Sequence, residues 1–382
     1  MSEIRRSFTK TMNKNKIKAI IWAVVLTSVY VCFFYLCIST VDDIIKQRET
    51  TLTSNIYPDL IRSDDLRSAT LNNRYNQANV VVAGSYLERI VSFELSKSKW
   101  DYEFYQWFKW NPSLVEFESL DSLKKRFVLP VNLPFKIVNG QILDAHILNY
   151  KVSPDLKSAY VLYFVRATST QFFSSNAYPM DKHFLYIPIE HVELNASKLK
   201  FVPDLASSKV SSRVKLSGYS KGDRMVSSSL HTYQSHYGNP DENKDQSNTF
   251  NQYRFGLKIE REGYGYYSKL FIVLLVSCMI AFLSFFADKT DKLRITVGAL
   301  FTTATNNYVL TRNIPDTSTV SIAEFVDIIS LATIFIIMCD QTILRFITKE
   351  NKELSDYTQW ITFTLTLFFY ILINFTIPII TK

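Results

Sequence analysis

The sequence predicts a multipass membrane protein: an exported antiparallel β-sandwich followed by four helices, with one extra transmembrane helix at the N-terminus. Three observations carry this. Stretches of roughly 20 apolar residues, enough helix to cross a hydrocarbon core about 30 Å thick, occur near the N-terminus and repeatedly after residue 265. Between them lies a long polar segment with turn-punctuated apolar alternation and no helical period. Finally, 20% charged and 14% aromatic residues with only 9 Gly and 11 Pro exclude collagen-like, low-complexity and disordered classes.

Taken in order, residues 1–18 are basic: Arg5, Arg6, Lys10, Lys14, Lys16 and Lys18 stand against Glu3. Positive-inside counting keeps this end in the cytoplasm. Residues 19–41 contain no charge and form the anchor helix. A cleaved signal peptide is the rival reading, but the apolar run is long and Phe34-Tyr35-Leu36 offers no small-residue cleavage pattern. Residues 42–78 read as a polar linker, partly helical, and 79–265 as the exported domain. Residues 266–382 hold three apolar spans: Leu270 to Ala287, one that contains Ile328 to Ile343 and begins near Ser321, interrupted by Asp340, and Ile361 to Ile380. Among them lies Ile295 to Thr311 (ITVGALFTTATNNYVLT), uncharged but too polar to face lipid all round. Five spans put residues 42–265 outside, and the turns bearing Lys289–Arg294 and Arg345–Lys352 inside.

Within the exported domain the strand candidates are the run from Asn79, the WDYEFYQWFKW segment, Phe135–Val138, Ala159–Ala167, His183–Ile189, Lys198–Val202, Arg213–Ser217, Met225–His231 and Tyr253–Glu260. Alternation places Tyr86, Ile90 and Phe93 on one side of the first strand. Turn signals such as Asn139-Gly140, Ser153-Pro154 and Ser220-Lys221-Gly222 separate strands, the pattern of a β-sandwich. All four cysteines (Cys32, Cys37, Cys278, Cys339) fall in the predicted spans, so the exported domain has no structural disulfide. The five histidines lack metal-ligand spacing, and no phosphate loop or nucleophile elbow is present. The expectation is a non-enzyme without cofactor or metal. The +8 charge sits largely beside the membrane, where it sets topology, and does not imply nucleic acid.

Four stretches carry a resemblance. The opening strands lead into an aromatic segment with Trp107 and Trp110; Tyr178-Pro179-Met180-Asp181 matches an F/Y-P-F/M-D signature; Arg261 ends the last strand; and RITVGALFTTATNNYVLTRNIPDTS follows as a polar helix and a proline-bearing loop. Together, over residues 79–380, they resemble the pentameric ligand-gated ion channels, the Cys-loop receptor superfamily, in a prokaryotic, cysteine-less form. Departures are the missing signature cysteines (near Gln171 and Leu185), the missing proline in KLFIVLL, a shorter Arg294–Pro315 interval and the added N-terminal helix.

The resemblance implies a homopentamer in the bacterial inner membrane, passing an inorganic ion through a ring of polar helices and opened by an unidentified small ligand. Two helical registers remain open for the pore. One aligns Thr296, Leu300, Thr303, Asn307 and Leu310, with Arg294 at the inner mouth; this is the preferred one. Registering on Pro315 instead turns Phe301, Thr305 and Tyr308 inward. A third possibility is that the polar residues only pack between helices. Arg312 leans selectivity towards anions, while Asp288 and Asp291 pull the other way. Coupling is expected where Tyr178, Pro179, Met180 and Asp181 with Arg261 meet Pro315 and Asp316 to Thr319, with Asp181 and Arg261 as a charge-assisted pair. A ligand is expected under the late hairpin, near Tyr233, Tyr237 and residues 238–247, where aromatics suit an organic cation. The alternative class is a non-conducting envelope sensor or assembly protein. A channel requires Thr303 or Asn307 to be water-accessible; a scaffold requires them buried.

Overall fold

The computed structural model describes residues 2–56, 79–114, 117, 133–233, 249–288, 291–313, 320–348 and 352–381. The chain divides into two compact units. One comprises Met1–Arg48, Ser175–Asp181 and Glu262–Lys382; the other comprises Glu49–Ser174 and Lys182–Arg261.

The second unit is β-rich. Its strands are β1 (Asn79–Glu94), β2 (Lys99–Trp110), β3 (Phe135–Ile137), β4 (Gly140–Val152), β5 (Ala159–Thr170), β6 (Lys182–His191), β7 (Leu199–Pro203), β8 (Lys209–Val210), β9 (Tyr219–Thr232) and β10 (Thr249–Arg261). They form a sheet of order β4-β5-β2-β1-β7, with β8 also on β1, and a second sheet of order β3-β6-β10-β9. Aromatic rings join the two: Phe135 packs on Phe108 and Tyr163 at 5.3 Å each, and Phe93 packs on His183 at 5.7 Å. Trp100, Tyr102, Phe104, Phe108, Tyr163, Phe201, Tyr253 and Phe255 are fully buried there.

Three details depart from the sequence reading. Pairing is antiparallel except that β7 and β8 run parallel to β1, because the chain crosses over to β1 instead of turning back in a hairpin. Residues 213–217 form turns and one isolated bridge rather than a strand. Register shifts at Leu87/Arg89 and Ile90/Ser92 break the alternation of β1, so Leu87 and Ile90 are buried and Phe93 meets the other sheet, while Tyr86 pairs with Tyr105 on the open face. Close approach in β1 requires a glycine: a Cβ on Gly84 would stand 2.3 Å from the indole of Trp107.

The first unit holds, among the described residues, α1 (Ser2–Ile56) as far as Arg48, α2 (Gly263–Leu283, extended by a 3-10 turn Ser284–Phe286), α3 (Lys292–Asn313), α4 (Ile322–Thr348) and α5 (Lys352–Ile380). Four are long and apolar enough to cross a membrane, over Ile17–Thr53, Tyr264–Phe286, Ile322–Ile343 and Leu354–Ile380. The segment read as linker from residue 42 continues α1 unbroken to Ile56. Polar ties fix the packing order: α3 lies against α2 through Ser277 and Thr303 and against α4 through Asn307 and Asp327, whereas α1 lies against α5 through Trp22 and Thr362.

Candidate functional site

The helix α3 has two faces of different character. Thr296, Ala299, Thr303, Asn306 and Leu310 are buried within the chain, whereas Arg294, Gly298, Phe301, Thr302, Thr305, Tyr308 and Val309 are exposed. Phe301 and Tyr308 expose 69% and 66% of their surface, against 0% for Thr296 and Thr303. The buried face is held by hydrogen bonds. The Thr296 hydroxyl lies 3.1 Å from Ser284 Oγ and 3.0 Å from Gln341 Oε1, and Gln341 Nε2 donates to Ser284 Oγ. One turn pair further on, Thr303 Oγ1 meets Ser277 Oγ at 2.9 Å, and Asn307 Nδ2 donates to Asp327 Oδ2.

The stripe Thr296, Leu300, Thr303, Asn307 and Leu310 is thus the seam joining α3 to α2 and α4. Thr296, Thr303 and Leu310 are sealed from solvent, and Leu300 and Asn307 are half-buried. Phe301, Thr305 and Tyr308 share the open face. Its hydroxyls are aimed along the helix, Thr302 donating to the Gly298 carbonyl at 3.0 Å and Thr305 to that of Phe301 at 2.9 Å. Each keeps lone pairs that can accept a further hydrogen bond. The sequence signal for the seam was spacing. Ser277 and Ser284 on α2, Thr296 and Thr303 on α3, and Asp327 and Gln341 on α4 recur at seven or fourteen residues, one face each.

The Tyr178–Asp181 signature belongs to the helical unit, although its flanking strands belong to the β-rich one. Its backbone caps α4. The first turn of a helix leaves N–H groups without intrahelical partners; here Ile322 N donates to the Asn176 carbonyl at 2.9 Å and Ala323 N to that of Tyr178 at 3.0 Å. Ser321 and Glu324 complete a reciprocal capping box: Glu324 N donates to Ser321 Oγ and Ser321 N to the Glu324 carboxylate. The Tyr178 hydroxyl meets that of Tyr266 on α2 at 2.6 Å. Tyr178, Pro179 and Asp181 are buried and Met180 is half-buried. At the end of β10, Arg261 donates to the Tyr219 hydroxyl, its guanidinium 4.4 Å from that ring's centre. Pro315 and Asp316 lie outside the described residues.

The foot of the β9–β10 hairpin forms a compact cluster. Glu190, fully buried at the end of β6, accepts from the Tyr233 hydroxyl at 2.8 Å and from Gln252 Nε2 at 3.0 Å, with Lys136 Nζ at 3.3 Å. The same ammonium stands 5.3 Å from the Tyr233 ring centre and 5.2 Å from that of Phe250. The aromatic faces are therefore already occupied by a cation of the protein's own. Next to Glu190, His191 is buried: Nδ1 accepts from the Glu193 and Leu194 amides, and Nε2 donates to the Phe117 carbonyl. Burial pushes its pKa below the ordinary value. Tyr237 and residues 238–247 lie outside the described residues. On the open face of the larger sheet, Arg89 and Arg166 both grip Glu103, at 2.8 and 2.7 Å, and hold its pKa down.

Comparison with protein-family models and with curated proteins finds no match for this chain.

Proposed function

We propose that the chain is a subunit of a homo-oligomeric, ligand-gated ion channel, pentameric as the resemblance implies, in which α3 lines the pore with its Phe301, Thr302, Thr305 and Tyr308 face. One observation carries this reading. The 22-residue α3 is about 33 Å long at about 1.5 Å per residue, enough to cross a bilayer. It is nonetheless absent from the four apolar helices, and α2 and α4 cover only one of its faces. A helix of that length, less apolar than the four and carrying Arg294, Thr302, Thr305 and Tyr308 on its uncovered face, suits water or another copy against that face better than lipid, even with the two threonine hydroxyls donating within the helix. A ring of identical subunits provides both.

In this pore Thr302 and Thr305 present oxygens that replace part of an ion's hydration shell. A ring of Phe301 closes the path by excluding water, and Arg294 sets a positive charge at one mouth. The β-rich unit senses the signal, and the Ser175–Asp181 loop, which caps α4, hands it to the helix adjoining α3. The Lys136–Glu190–Tyr233–Phe250 cluster is the sensing site this reading favours; with Lys136 against both rings and paired with Glu190, the ring faces it covers are not open to an organic cation.

A second reading is a non-conducting sensor or assembly protein. The burial of Thr303 and the tie between Asn307 and Asp327 favour it, since Thr303 is sealed from water and the half-buried Asn307 is already engaged. The mass of the intact protein in mild detergent separates the two. A closed pentamer, followed by single-channel currents in planar bilayers, supports the channel; a monomer or dimer that persists across detergents refutes it.

A further inference from the structure

The N-terminal helix carries contacts that a membrane tether does not need. Along its length it is matched to α5: Trp22 Nε1 donates to Thr362 Oγ1 at 3.2 Å, the Tyr30 hydroxyl donates to Thr366 at 2.7 Å, and the Tyr30 ring stacks on Phe369 at 5.0 Å. Thr362 in turn donates to the buried Asp340 carboxylate of α4 at 3.0 Å. Hydrogen bonds between helices specify one packing where lipid and protein are equally apolar.

At the far end of this seam sits Arg48, only 6% exposed. Its Nη1 donates to the Thr381 carbonyl at 3.0 Å and to the Met180 carbonyl at 3.4 Å. The first is a carbonyl at the end of α5, where unsatisfied acceptors and the helix dipole favour a cation. The second lies inside the signature loop. The neighbouring Gln47 accepts from Asn176 Nδ2 at 3.1 Å, also in that loop. A buried guanidinium must be held by acceptors, and these two join three separate chain segments at one point.

We propose that α1 is an integral fifth helix of this unit and that Arg48 is a positioning residue, latching the Ser175–Asp181 loop to the ends of α1 and α5 and thereby holding the cap of α4 in place. The latch is a property of the fold and stands whether or not the assembly conducts. Its consequence for the proposed channel is that α1 biases the loop that transmits the signal.

The test is hydrogen exchange by mass spectrometry on the full-length protein in lipid nanodiscs, comparing wild type with R48M and R48K. Expected for R48M is at least tenfold faster exchange in peptides covering 175–181 and in the Ile322 and Ala323 amides, with β6 and β10 unchanged. R48K, which keeps the charge but offers a single ammonium in place of the guanidinium, is expected to fall between. Exchange at 175–181 and 322–323 within twofold of wild type in R48M overturns the latch. If R48M does not fold, R48K decides, and the absence of a localised increase there overturns the latch equally. Neither result depends on currents or on oligomeric mass, so failure of the latch and failure of the channel are told apart.

Discussion

Burial assigns the two faces of α3 opposite accessibilities, and single cysteines read them directly. In a background with Cys32, Cys37, Cys278 and Cys339 replaced by serine, the informative variants are T305C and T302C on the open face, T303C and T296C on the buried seam, and M279C and F375C as controls. Met279 and Phe375 are 65% and 68% exposed on the apolar helices α2 and α5, where the proposed assembly faces lipid. The probe is a charged, water-soluble methanethiosulfonate applied to protein in nanodiscs. To reach position 303, the reagent must wait for α3 to part from α2. That opening breaks the contacts that join α3 to α2 on either side of it, Ser277 Oγ with the Ala299 carbonyl at 2.6 Å and Thr296 Oγ1 with Ser284 Oγ at 3.1 Å. At about 1 kcal/mol per hydrogen bond, these two contacts make about 2 kcal/mol, or about a 30-fold slower reaction than at position 305. Lipid-facing thiols should react as slowly as buried ones, since the thiolate is not formed in hydrocarbon. Equal rates at 303 and 305 would refute the assignment of faces. Equal rates at 305 and 279 would refute the water-filled lumen, leaving α3 packed in a non-conducting assembly.

Three further outcomes follow from local geometry. His191 has a depressed pKa, so the unfolded chain takes up its proton first. Stability is then complete above about 6.5, the ordinary value, and falls as pH drops below it, by up to about 1.4 kcal/mol per unit until the folded-state pKa is reached; H191N should flatten that part of a plot of Tm against pH, and a slope unchanged in H191N would count against it. G84A drives a methyl into the Trp107 indole and should cost about 1–3 kcal/mol in urea unfolding followed by tryptophan fluorescence, with W107L restoring part of the loss; no recovery in the double variant would mean the contact is not the cause. S321A removes the capping box of α4 and should cost about 1 kcal/mol, seen as faster exchange confined to the first turn of that helix; protection equal to wild type there would refute the cap.

The division into apolar helices and a β-rich region is legible in the sequence because both leave periodic signals: β5 alternates buried and half-exposed residues, and the spans are near-continuous apolar runs. What is not legible has physical causes. Among the described residues the edge strand β4 pairs with β5 alone and is exposed along most of its length, so no hydrophobic alternation marks it. Bulges in β1 shift Tyr86 to the face opposite Ile90 and Phe93, which period-two counting does not detect. For α3, hydroxyl and amide residues occur on both faces, and composition alone does not say which face finds partners. The decision rests with Ser277, Ser284, Asp327 and Gln341 on neighbouring helices. Arg48 shows the same limit: within a polar stretch it reads as a linker residue, and only packing reveals it as buried.

The polar contacts of the helical unit also fix the direction in which each helix runs. Tyr266 near the start of α2, the first turn of α4, the end of α5 and Arg48 of α1 all bond to the Ser175–Asp181 loop or to the carbonyl beside it. Helices α2 and α4 therefore leave that end while α1 and α5 arrive at it. Pairing of Ser284 with Thr296 and of Ser277 with Thr303 makes α3 antiparallel to α2, so α3 arrives as well. Such alternation, α1 in one direction, α2 back, α3 forth, α4 back and α5 forth, is what five successive crossings require, although hydropathy alone recognises only four. The charge pattern speaks to the same point by separate physics. Lys292, Arg294, Arg345 and Lys352 belong to the helix ends away from the loop, so basic residues gather at those ends as the positive-inside rule expects of one side of a membrane. Hydrogen-bond geometry thus gives the five helices alternating directions, and α3, of comparable length, keeps an open face that the described residues of the chain leave uncovered.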